Sequence, residues 1–313
     1  MKIHSSLEAF VASRPVLTMG TFDGFHRGHG KILQTLRERA KELGGESVVM
    51  TFWPHPRLVL RPDDLSLSLL STLDERVALL AKQGIDHLIV CPFTLEFAQM
   101  SSNDFIRSVL VEQLKITHLV VGFNHTFGRN REGNFDSLVQ CAADCGFGIE
   151  RVEALVDGPG FISSTKIREA LLAGDIETAT LSLQRPYSIA GQVIQGKQLG
   201  RKLGFPTANM EADLYKLVPK DGVYAVQVAF GEKLWKAMLN IGMRPTIDEP
   251  RRDKTIEVHI FDFDQQIYGQ RLELRFLKRV RSEHRFDSLE ALSQQLVADK
   301  AFVLDFFETV NQA

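Results

Sequence analysis

The sequence has few cysteines, no long apolar run and almost no net charge. Its three cysteines are odd in number and lack metal-site spacing, which suits reduced thiols and predicts a cytoplasmic protein. No stretch approaches the roughly 18 apolar residues of a membrane helix, and the first residues, MKIHSSLEAF, lack an export signal. A formal net charge of −2 gives no overall attraction to nucleic acid or to a membrane.

The composition is that of a globular protein with more than one core. The chain has 313 residues, of which 44% are hydrophobic and 24% charged, which excludes a disordered chain, a coiled coil and collagen. This length is too great for one ordinary core and comfortable for two. The rhythm of apolar residues changes near Pro186, so we expect domains at 1–185 and 186–313.

The first part alternates short apolar runs with amphipathic helices. Strands are predicted at 16–19, 47–53, 87–91, 117–121 and 149–155, and helices at 28–43, from Thr72 to Gly84, after Ser101 and at 176–183. The strands are too apolar to have one wet face. The pattern therefore predicts an α/β domain with a parallel, doubly wound sheet.

The second part reads as one strand after another. Period-two alternation predicts strands at 224–230, 234–241, 255–263 and 272–277. An amphipathic helix over about 288–310 is expected to cover an open side. The pattern predicts a small antiparallel barrel or sheet with a terminal helix.

A glycine-rich segment, GTFDGFHRGHG (20–30), joins the first predicted strand to the first helix. The N–H groups at a helix N-terminus favour polyphosphate, and His26 and His29 could donate to phosphate oxygens as charge develops there. The alternative is a glycine-rich turn with two capping histidines. The position outside a strand's carboxyl end favours the binding site.

This segment resembles the H-x-G-H signature of nucleotidyltransferases of the adenylyltransferase superfamily. TFWPHP (51–56), VGFNHTFG (121–128) and ISSTKIR (162–168) each follow a predicted strand, so all four segments are expected at one sheet edge. Together they resemble the FMN adenylyltransferase module of bacterial bifunctional riboflavin kinases/FAD synthetases. The implied fold is a Rossmann-like nucleotidyltransferase domain.

The resemblance implies roles for residues of these segments. His26, His29 and Arg168 are expected to be catalytic, and His55 and Phe127 to bind flavin. Binding of ATP or phosphate is implied for Gly20, Asp23, Gly24, Gly28, Asn124, Ser163, Ser164, Thr165 and Lys166. The alternative for 162–168 is a serine N-cap followed by basic side chains that face solvent. The alternative for His55 is a purely structural turn.

The chain departs from the family pattern at four positions. Phe25, Arg27 and Gly30 stand where the family usually has Val, Leu and Gln, and His125 stands where it has an aromatic residue. The glycines and histidines of the signature are intact. The departures put the shape and affinity of the flavin pocket in question.

The second part carries GQVIQGKQLGRKLGFPTANM (191–210), which resembles the riboflavin kinase signature. Its glycines and its lysine and arginine side chains suit phosphate binding, although the G-K-[ST] ending of a P-loop is absent. The implied phosphate-binding residues are Gly196, Lys202 and Gly204, the implied Mg²⁺ ligands are Thr207 and Asn209, and Arg244 is implied to bind flavin.

A kinase that acts on an alcohol needs a base, because an alcohol is a poor nucleophile. Glu257 alternates with the aliphatic residues of its strand and so leaves the face that they bury. If the strand is considered without the resemblance, exposure of the Glu257 side chain to solvent would explain its position. The resemblance places the general base here, with His259 as a neighbour.

The implied activity is synthesis of FMN and then FAD from riboflavin with two ATP, releasing ADP and pyrophosphate. Mg²⁺ is the expected cofactor, no redox cofactor is required, and a monomer or weak oligomer without nucleic acid or membrane partners is expected. Two alternatives stay open: a domain that binds flavin without turnover, or a class I aminoacyl-tRNA synthetase relative. Lys278, Arg279, Arg281 and Arg285 invite a nucleic-acid role, but a solvated strand edge is the favoured interpretation.

Overall fold

The computed structural model describes residues 1–8, 10–64, 66–157, 160–196, 199–243 and 254–312, with backbone alone for 157, 160, 199, 202 and 310–312. The chain forms two compact units. The first unit comprises residues 1–67 and 71–164, and the second comprises 68–70 and 165–313. The division at 185 and 186 stays a prediction, because compact packing alone does not establish independent folding.

The first unit is built on a six-stranded sheet whose strands all run parallel, in the order β1-β4-β3-β2-β5-β6. Its strands are β1 (Lys2–His4), β2 (Val16–Met19), β3 (Ser47–Trp53), β4 (His87–Pro92), β5 (His118–Gly122) and β6 (Gly148–Val152), and β7 (Val156–Asp157) pairs with β8 (Gly160–Phe161) apart from the sheet. Alternate residues of β2 enter two different core clusters, Leu17 and Met19 in one and Val16 in the other. The predicted parallel, doubly wound sheet is confirmed.

The helices of the first unit are α1 (Arg27–Leu43), α2 (Pro56–Leu60), α3 (Leu73–Ala81), α4 (Leu95–Ala98), α5 (Ser102–Asp104) and α6 (Phe135–Cys145), with a 3₁₀ turn at Arg129–Arg131. Thr72 and Glu75 form the capping box that their spacing indicates at the start of α3. The helix predicted after Ser101 is a π-helix over Phe105–Gln113. Its wider turn still buries Phe105, Ile106, Val109 and Leu110 against the sheet.

The second unit is a closed six-stranded antiparallel barrel, in the order β10-β13-β12-β11-β14-β9. Its strands are β9 (Tyr187–Ile194), β10 (Ala208–Ala212), β11 (Gly222–Phe230), β12 (Lys233–Met243), β13 (Lys254–Ile260) and β14 (Arg271–Arg281), and its helices are α7 (Ser164–Ala173, whose first residue lies in the first unit), α8 (Ile176–Leu183), α9 (Leu199–Lys202) and α10 (Leu289–Gln312). Sequence reasoning missed β9 and β10, and these two strands close the barrel. The barrel therefore has no open side, and α10 packs instead on its outer surface over β11, β12 and β14.

Two apolar layers stabilise this unit. The barrel interior is filled by aliphatic and aromatic side chains, Tyr224 and Phe276 being the largest that are fully buried. Outside the barrel, Met238 and Phe261 pack with Val303 and Phe307 of α10. This outer layer predicts that loss of α10 would expose an apolar barrel face.

Three members of the basic cluster, Lys278, Arg279 and Arg281, lie on β14, which is not an edge strand. Lys278 Nζ lies 3.1 Å from Glu177 Oε1, and Arg279 donates to the carbonyl of Asp221. Arg281 binds Asp299 with both Nε and a terminal nitrogen. That expectation was wrong because a closed barrel has no edge strand. Among the described residues, the helices are too short or too polar to cross a membrane.

Candidate active sites

His26 and His29 cap the N-terminus of α1 through reciprocal hydrogen bonds. The backbone N–H of His29 donates to Nδ1 of His26 at 3.4 Å, and the N–H of His26 donates to Nδ1 of His29 at 3.3 Å. The two rings stack with centroids 3.7 Å apart and planes inclined by 16°. The capping role, which the sequence left as an alternative, is therefore present, and it fixes the direction of both rings.

This reciprocal capping sets the chemistry of the two imidazoles. An Nδ1 that accepts a hydrogen bond carries no proton, so the proton of each neutral ring lies on Nε2. Each histidine thus has an Nε2–H donor at a helix N-terminus, where the backbone N–H groups and the helix dipole also favour an anion. Capping and phosphate binding are compatible because they use different nitrogens of the ring.

The structure favours glycine at two positions of this loop. A Cβ on Gly28 would lie 3.1 Å from Cε1 and Nδ1 of His26, so a side chain there would displace the ring. Gly24 has φ +81°, a left-handed conformation that favours glycine. Gly20 has ordinary contacts with the Phe22 ring, and a Cβ on Gly30 would meet no atom within 4 Å.

The carboxylate of the loop points inwards. Asp23 is 1% exposed, and its Oδ1 accepts from the N–H of Ser71 at 2.9 Å and from the Ser71 hydroxyl at 3.1 Å. The Ser71 hydroxyl accepts in turn from Gly24 N–H, and Ser164 Oγ donates to the Asp23 carbonyl at 2.8 Å. Two separate stretches of the chain, at Ser71 and at Ser164, therefore hold this loop.

The other predicted residues of the first unit follow neighbouring strands of the same sheet. His55 follows β3, caps α2 by accepting from Arg57 N–H, and is buried. Asn124 and Phe127 follow β5, Asn124 exposed and Phe127 in the core. Because β3, β2 and β5 are adjacent and parallel, their carboxyl ends share one edge with the His26 loop.

The departures from the family pattern divide into core and loop positions. Phe25 is 8% exposed and packs in a core cluster with Phe22 and residues of α1. His125 stacks on Phe127, and its buried Nε2 has no hydrogen-bond partner among the described residues. Burial lowers the pKa of His125 to about 4, so this ring is neutral at physiological pH.

The ISSTKIR segment falls on both units. Ser163 and Ser164 belong to the first unit, whereas Thr165, Lys166 and Arg168 belong to the second. Thr165 and Lys166 are exposed on α7, and Arg168 Nε donates to the carbonyl of Ser68 at 2.8 Å. The structure thus gives Arg168 a backbone contact that the sequence did not predict.

The second unit has a cavity of about 230 Å³ on the outer side of the barrel. It is lined by Gly200, Leu203, Phe205, Thr207, Val223, Met238, Leu239, Asn240, Glu257, His259, Arg281, Glu283, His284, Phe286, Leu292, Leu296 and Asp299. Glu257 on β13 stands opposite Asn209 of β10 on one side and Asn240 of β12 on the other. Alternation alone would place the Glu257 carboxylate in solvent. In the structure Glu257 lines the cavity and stands between Asn209 and Asn240.

Near this carboxylate, Thr207 and Asn209 form the Thr207–Asn209 cradle, whose side-chain oxygens could bind a cation. A Cβ on Gly196 would lie 2.1 Å from Nδ2 of Asn209, so only glycine lets the Asn209 amide lie where it does. Gly200 is equally constrained, since its Cβ would lie 2.3 Å from the Phe205 carbonyl oxygen. Gly204 has φ +80°. Arg244 and the side chain of Lys202 lie outside the described residues.

His259 is already engaged in the barrel wall. Its Nδ1 lies 2.8 Å from the carbonyl oxygen of Pro206, so Nδ1 carries the proton and donates. Burial lowers the pKa of His259, the Pro206 contact acting in the opposite direction. Its position supports the role of neighbour rather than base.

Sequence reasoning missed several residues that line the cavity. Asn240 lies on β12 opposite Glu257, a register that the sequence does not show. Arg281 makes a two-nitrogen contact with the buried Asp299 of α10, and Phe286 lies under the Arg281 guanidinium at 5.8 Å. These residues are far apart in the chain, and no local pattern signals their proximity.

Comparison with known proteins assigns both units. Residues 10–166 match the FAD synthetase family and residues 183–307 match the riboflavin kinase family. The chain is 36% identical to the bifunctional riboflavin kinase/FMN adenylyltransferase of Bacillus subtilis, with 96% of this chain and 95% of the relative covered. It is 40% identical to the same enzyme of Pseudomonas fluorescens, with 91% of each covered.

A solved structure has the same fold over nearly the full length. The crystal structure of a macrolide-efflux protein from Streptococcus pneumoniae superposes with a TM-score of 0.86 at 30% identity, over 96% of this chain and 97% of that one. The efflux description belongs to that protein. From the two matching family models and the near full-length relatives, this chain belongs to the family of bifunctional riboflavin kinase/FMN adenylyltransferases.

Proposed function

We propose that this bifunctional enzyme, which phosphorylates riboflavin and then adenylylates FMN to FAD, uses Glu257 for the first reaction and the His26–His29 pair for the second. The observation that carries the proposal is the position of Glu257 between Asn209 and Asn240 in the barrel cavity. The reciprocal capping of the two histidines supports the second half.

Phosphorylation requires a base at the acceptor alcohol. In the proposed reaction Glu257 takes the proton of the ribityl hydroxyl as its oxygen attacks the γ-phosphorus of ATP, and ADP leaves. Gly196, Gly204 and Lys202 are proposed to bind the phosphates, and Arg244 to bind flavin. The cavity walls, which include Phe205 and Met238, exclude water from the attacking oxygen.

The Thr207–Asn209 cradle fits Mg²⁺. The hydroxyl and amide oxygens are hard donors of the kind that Mg²⁺ accepts beside ATP phosphates, and the absence of a side chain at Gly196 leaves Asn209 its place. When bound, Mg²⁺ supplies charge neutralisation at the phosphates. Thr207 and Asn209 would hold it.

Adenylylation needs no base, because the FMN phosphate is already a nucleophile. In the proposed reaction its oxygen attacks the α-phosphorus of ATP and pyrophosphate leaves. The Nε2–H donors of His26 and His29 and the N-terminus of α1 then stabilise the charge that builds on the α-phosphate of the adenylyl group that is transferred. Gly20, Gly24 and Gly28 shape the loop, and Asp23 is proposed to act through its hold on that loop.

The remaining residues complete the proposal. Arg168 is proposed to act with the two histidines in adenylyl transfer. Asn124 is proposed as a nucleotide contact, and His55 and Phe127 as flavin contacts. Hydrogen bonds to phosphate are proposed for Ser163, Ser164, Thr165 and Lys166. Each domain, 1–185 and 186–313, would act on its own substrate.

The cytoplasm is the proposed location of the protein, and a monomer or weak oligomer is its proposed oligomeric state. The three cysteines are unpaired, and burial raises the pKa of Cys91 to about 11.

A two-product assay tests the proposal. The protein is incubated with riboflavin, Mg²⁺ and ATP, and FMN and FAD are separated by chromatography over time. We expect FMN to rise first and FAD to follow. Formation of FMN alone would instead support the alternative that the first unit binds flavin without turnover.

A further inference from the structure

A buried arginine lies behind the loop that carries His26 and His29, at a position that no motif singles out. Arg76, on α3, has 0% exposure and is the largest fully buried side chain of the described residues. Arginine is rarely buried without a full set of partners, because the charged form loses its hydration. The side chain therefore needs an explanation other than packing.

The contacts of Arg76 lie at the carboxyl end of β3. One terminal nitrogen donates to Thr51 Oγ1 at 3.3 Å and to the Phe52 carbonyl oxygen at 3.4 Å, and the guanidinium lies 5.9 Å from the Trp53 ring centre. Its Nε and other terminal nitrogen have no hydrogen-bond partner among the described residues. Neutral partners alone do not offset the burial of a full positive charge.

The charge that acts on Arg76 is that of Asp23. Burial lowers the pKa of the guanidinium, and the Asp23 carboxylate raises it, whereas Thr51, Phe52 and Trp53 carry no charge. Thr51 also joins the two regions, since its hydroxyl donates to the Thr21 carbonyl at 3.3 Å. Arg76 therefore connects the end of β3 to the loop by a hydrogen-bond relay and by charge.

Asp23 creates a problem that Arg76 solves. A buried carboxylate beside a polyphosphate site repels its ligand strongly, because charges interact over longer distances in a medium of low dielectric constant. It cannot turn to solvent, since Ser71 and the loop backbone hold it. A fixed positive charge behind it would cancel the repulsion without occupying the site.

We propose that Arg76 is a positioning residue of the adenylyl-transfer site, which neutralises Asp23 and holds the 20–29 loop so that His26 and His29 can receive polyphosphate. The inference rests on the proposed role of that histidine pair. It assigns Arg76 no contact with substrate.

The test compares Arg76→Gln, Asp23→Asn and the double variant in the full-length enzyme, with FMN adenylylation and riboflavin phosphorylation measured separately. We expect Arg76→Gln to reduce kcat/KM for adenylylation at least 30-fold, mainly through KM for ATP, with phosphorylation unchanged. The double variant should recover at least tenfold of that loss, because the carboxylate that needed neutralising is gone. Losses that multiply independently would overturn the proposal.

A charge-retaining variant gives a readout that a purely structural role would not move. Lysine in a buried site has a lowered pKa, so Arg76→Lys should lose adenylylation activity as pH rises, at a lower pH than the unmodified enzyme. A profile parallel to that of the unmodified enzyme would overturn the inference. This variant decides the matter alone should Arg76→Gln fail to fold.

Two further variants separate the possible failures. Arg39→Gln is the matched control, since Arg39 lies in the same unit and pairs with Glu150 and Glu42 away from the loop, and we expect its adenylylation to stay within twofold. An equal loss in Arg39→Gln and Arg76→Gln would show a general stability effect and overturn the proposal. Full adenylylation by His29→Ala would instead contradict the proposed site itself.

Discussion

The two units handle ATP with different kinds of scaffold. In the first, the groups proposed to be functional lie on loops at the carboxyl ends of parallel strands and at one helix N-terminus, where His26 and His29 cap each other. In the second, Glu257 lies in the middle of a strand, between amides of the two neighbouring strands. The proposed nucleophiles would account for the difference, since a phosphate needs charge neutralisation whereas an alcohol needs a rigidly placed base.

The largest expected effect breaks the barrel site alone. Glu257→Gln keeps the shape of the side chain and removes its basicity, so we expect FMN formation to fall by about 10²–10⁴-fold. Adenylylation of added FMN should be unchanged. Separate assays with riboflavin and with FMN measure the two rates, and an equal loss of both would contradict independent sites.

The reverse experiment removes one histidine of the loop. His29→Ala deletes an Nε2–H donor and the cap that it gives to His26, so we expect FAD formation to fall by about 10²–10³-fold. FMN should then accumulate from riboflavin. The same assays apply, and undiminished FAD formation would show that the pair only caps α1.

A pair of glycine variants tests how closely the loop is fitted. Gly28→Ala places a Cβ 3.1 Å from the His26 ring, so a small displacement should reduce adenylylation about tenfold. Gly30→Ala is the control, because its Cβ meets no atom within 4 Å. This second change should leave the rate unaltered and raise the free energy of unfolding by about 0.5–1 kcal/mol, measured in urea. Equal rates for both variants would contradict the close fit.

The smallest expected effect concerns pH and the first unit. The pKa of His125 is about 4 in the folded protein, below the unfolded value of 6.5. The unfolded chain therefore binds more protons between these values, so stability falls as pH falls through this window, by at most about 1.4 kcal/mol per pH unit. His125→Phe should flatten this part of the profile.

The tryptophans allow that profile to be assigned to a unit. Trp53 lies in the first unit and Trp235 in the second, and the chain has two tryptophans in all. Urea unfolding at pH 7, 6 and 5 is followed by Trp53 fluorescence in Trp235→Phe protein, with and without His125→Phe. Identical pH dependence in the two proteins would show that His125 contributes nothing to it.

Much of the fold could be predicted because its signals are local. Continuous apolar strands between amphipathic helices predict the parallel sheet, and the Thr72–Glu75 spacing predicts the start of α3. β10 was missed because its sequence, ANMEA, is only five residues long and contains mostly residue types that are depleted in strands, so it depends on pairing with β9 and β13. The covered side of the barrel was misjudged for the same reason, since closure depends on those two strands.

The residues of the candidate sites also divide into those that local sequence signals indicate and those that depend on distant parts of the chain. His26 and His29 were proposed from their motif and its position after a strand, and the family resemblance added Thr207 and Glu257; their roles stay predictions. Arg76, Asn240 and Asp299 were not proposed from the sequence, because each acquires its role from a partner far away in the chain. Arg168 was assigned to phosphate by its motif, and its contact with Ser68 emerged only from the folded chain.

The sequence by itself determined the alternation of elements, the glycines that the loops require and the types of chemical group available, because these depend on neighbouring residues and on backbone sterics. The tertiary structure decided which groups face one another: Glu257 between two amides, the buried Arg76 guanidinium against Thr51, and α10 over the barrel wall. The physical reason is that burial and charge pairing depend on distances in space, which a linear pattern does not contain.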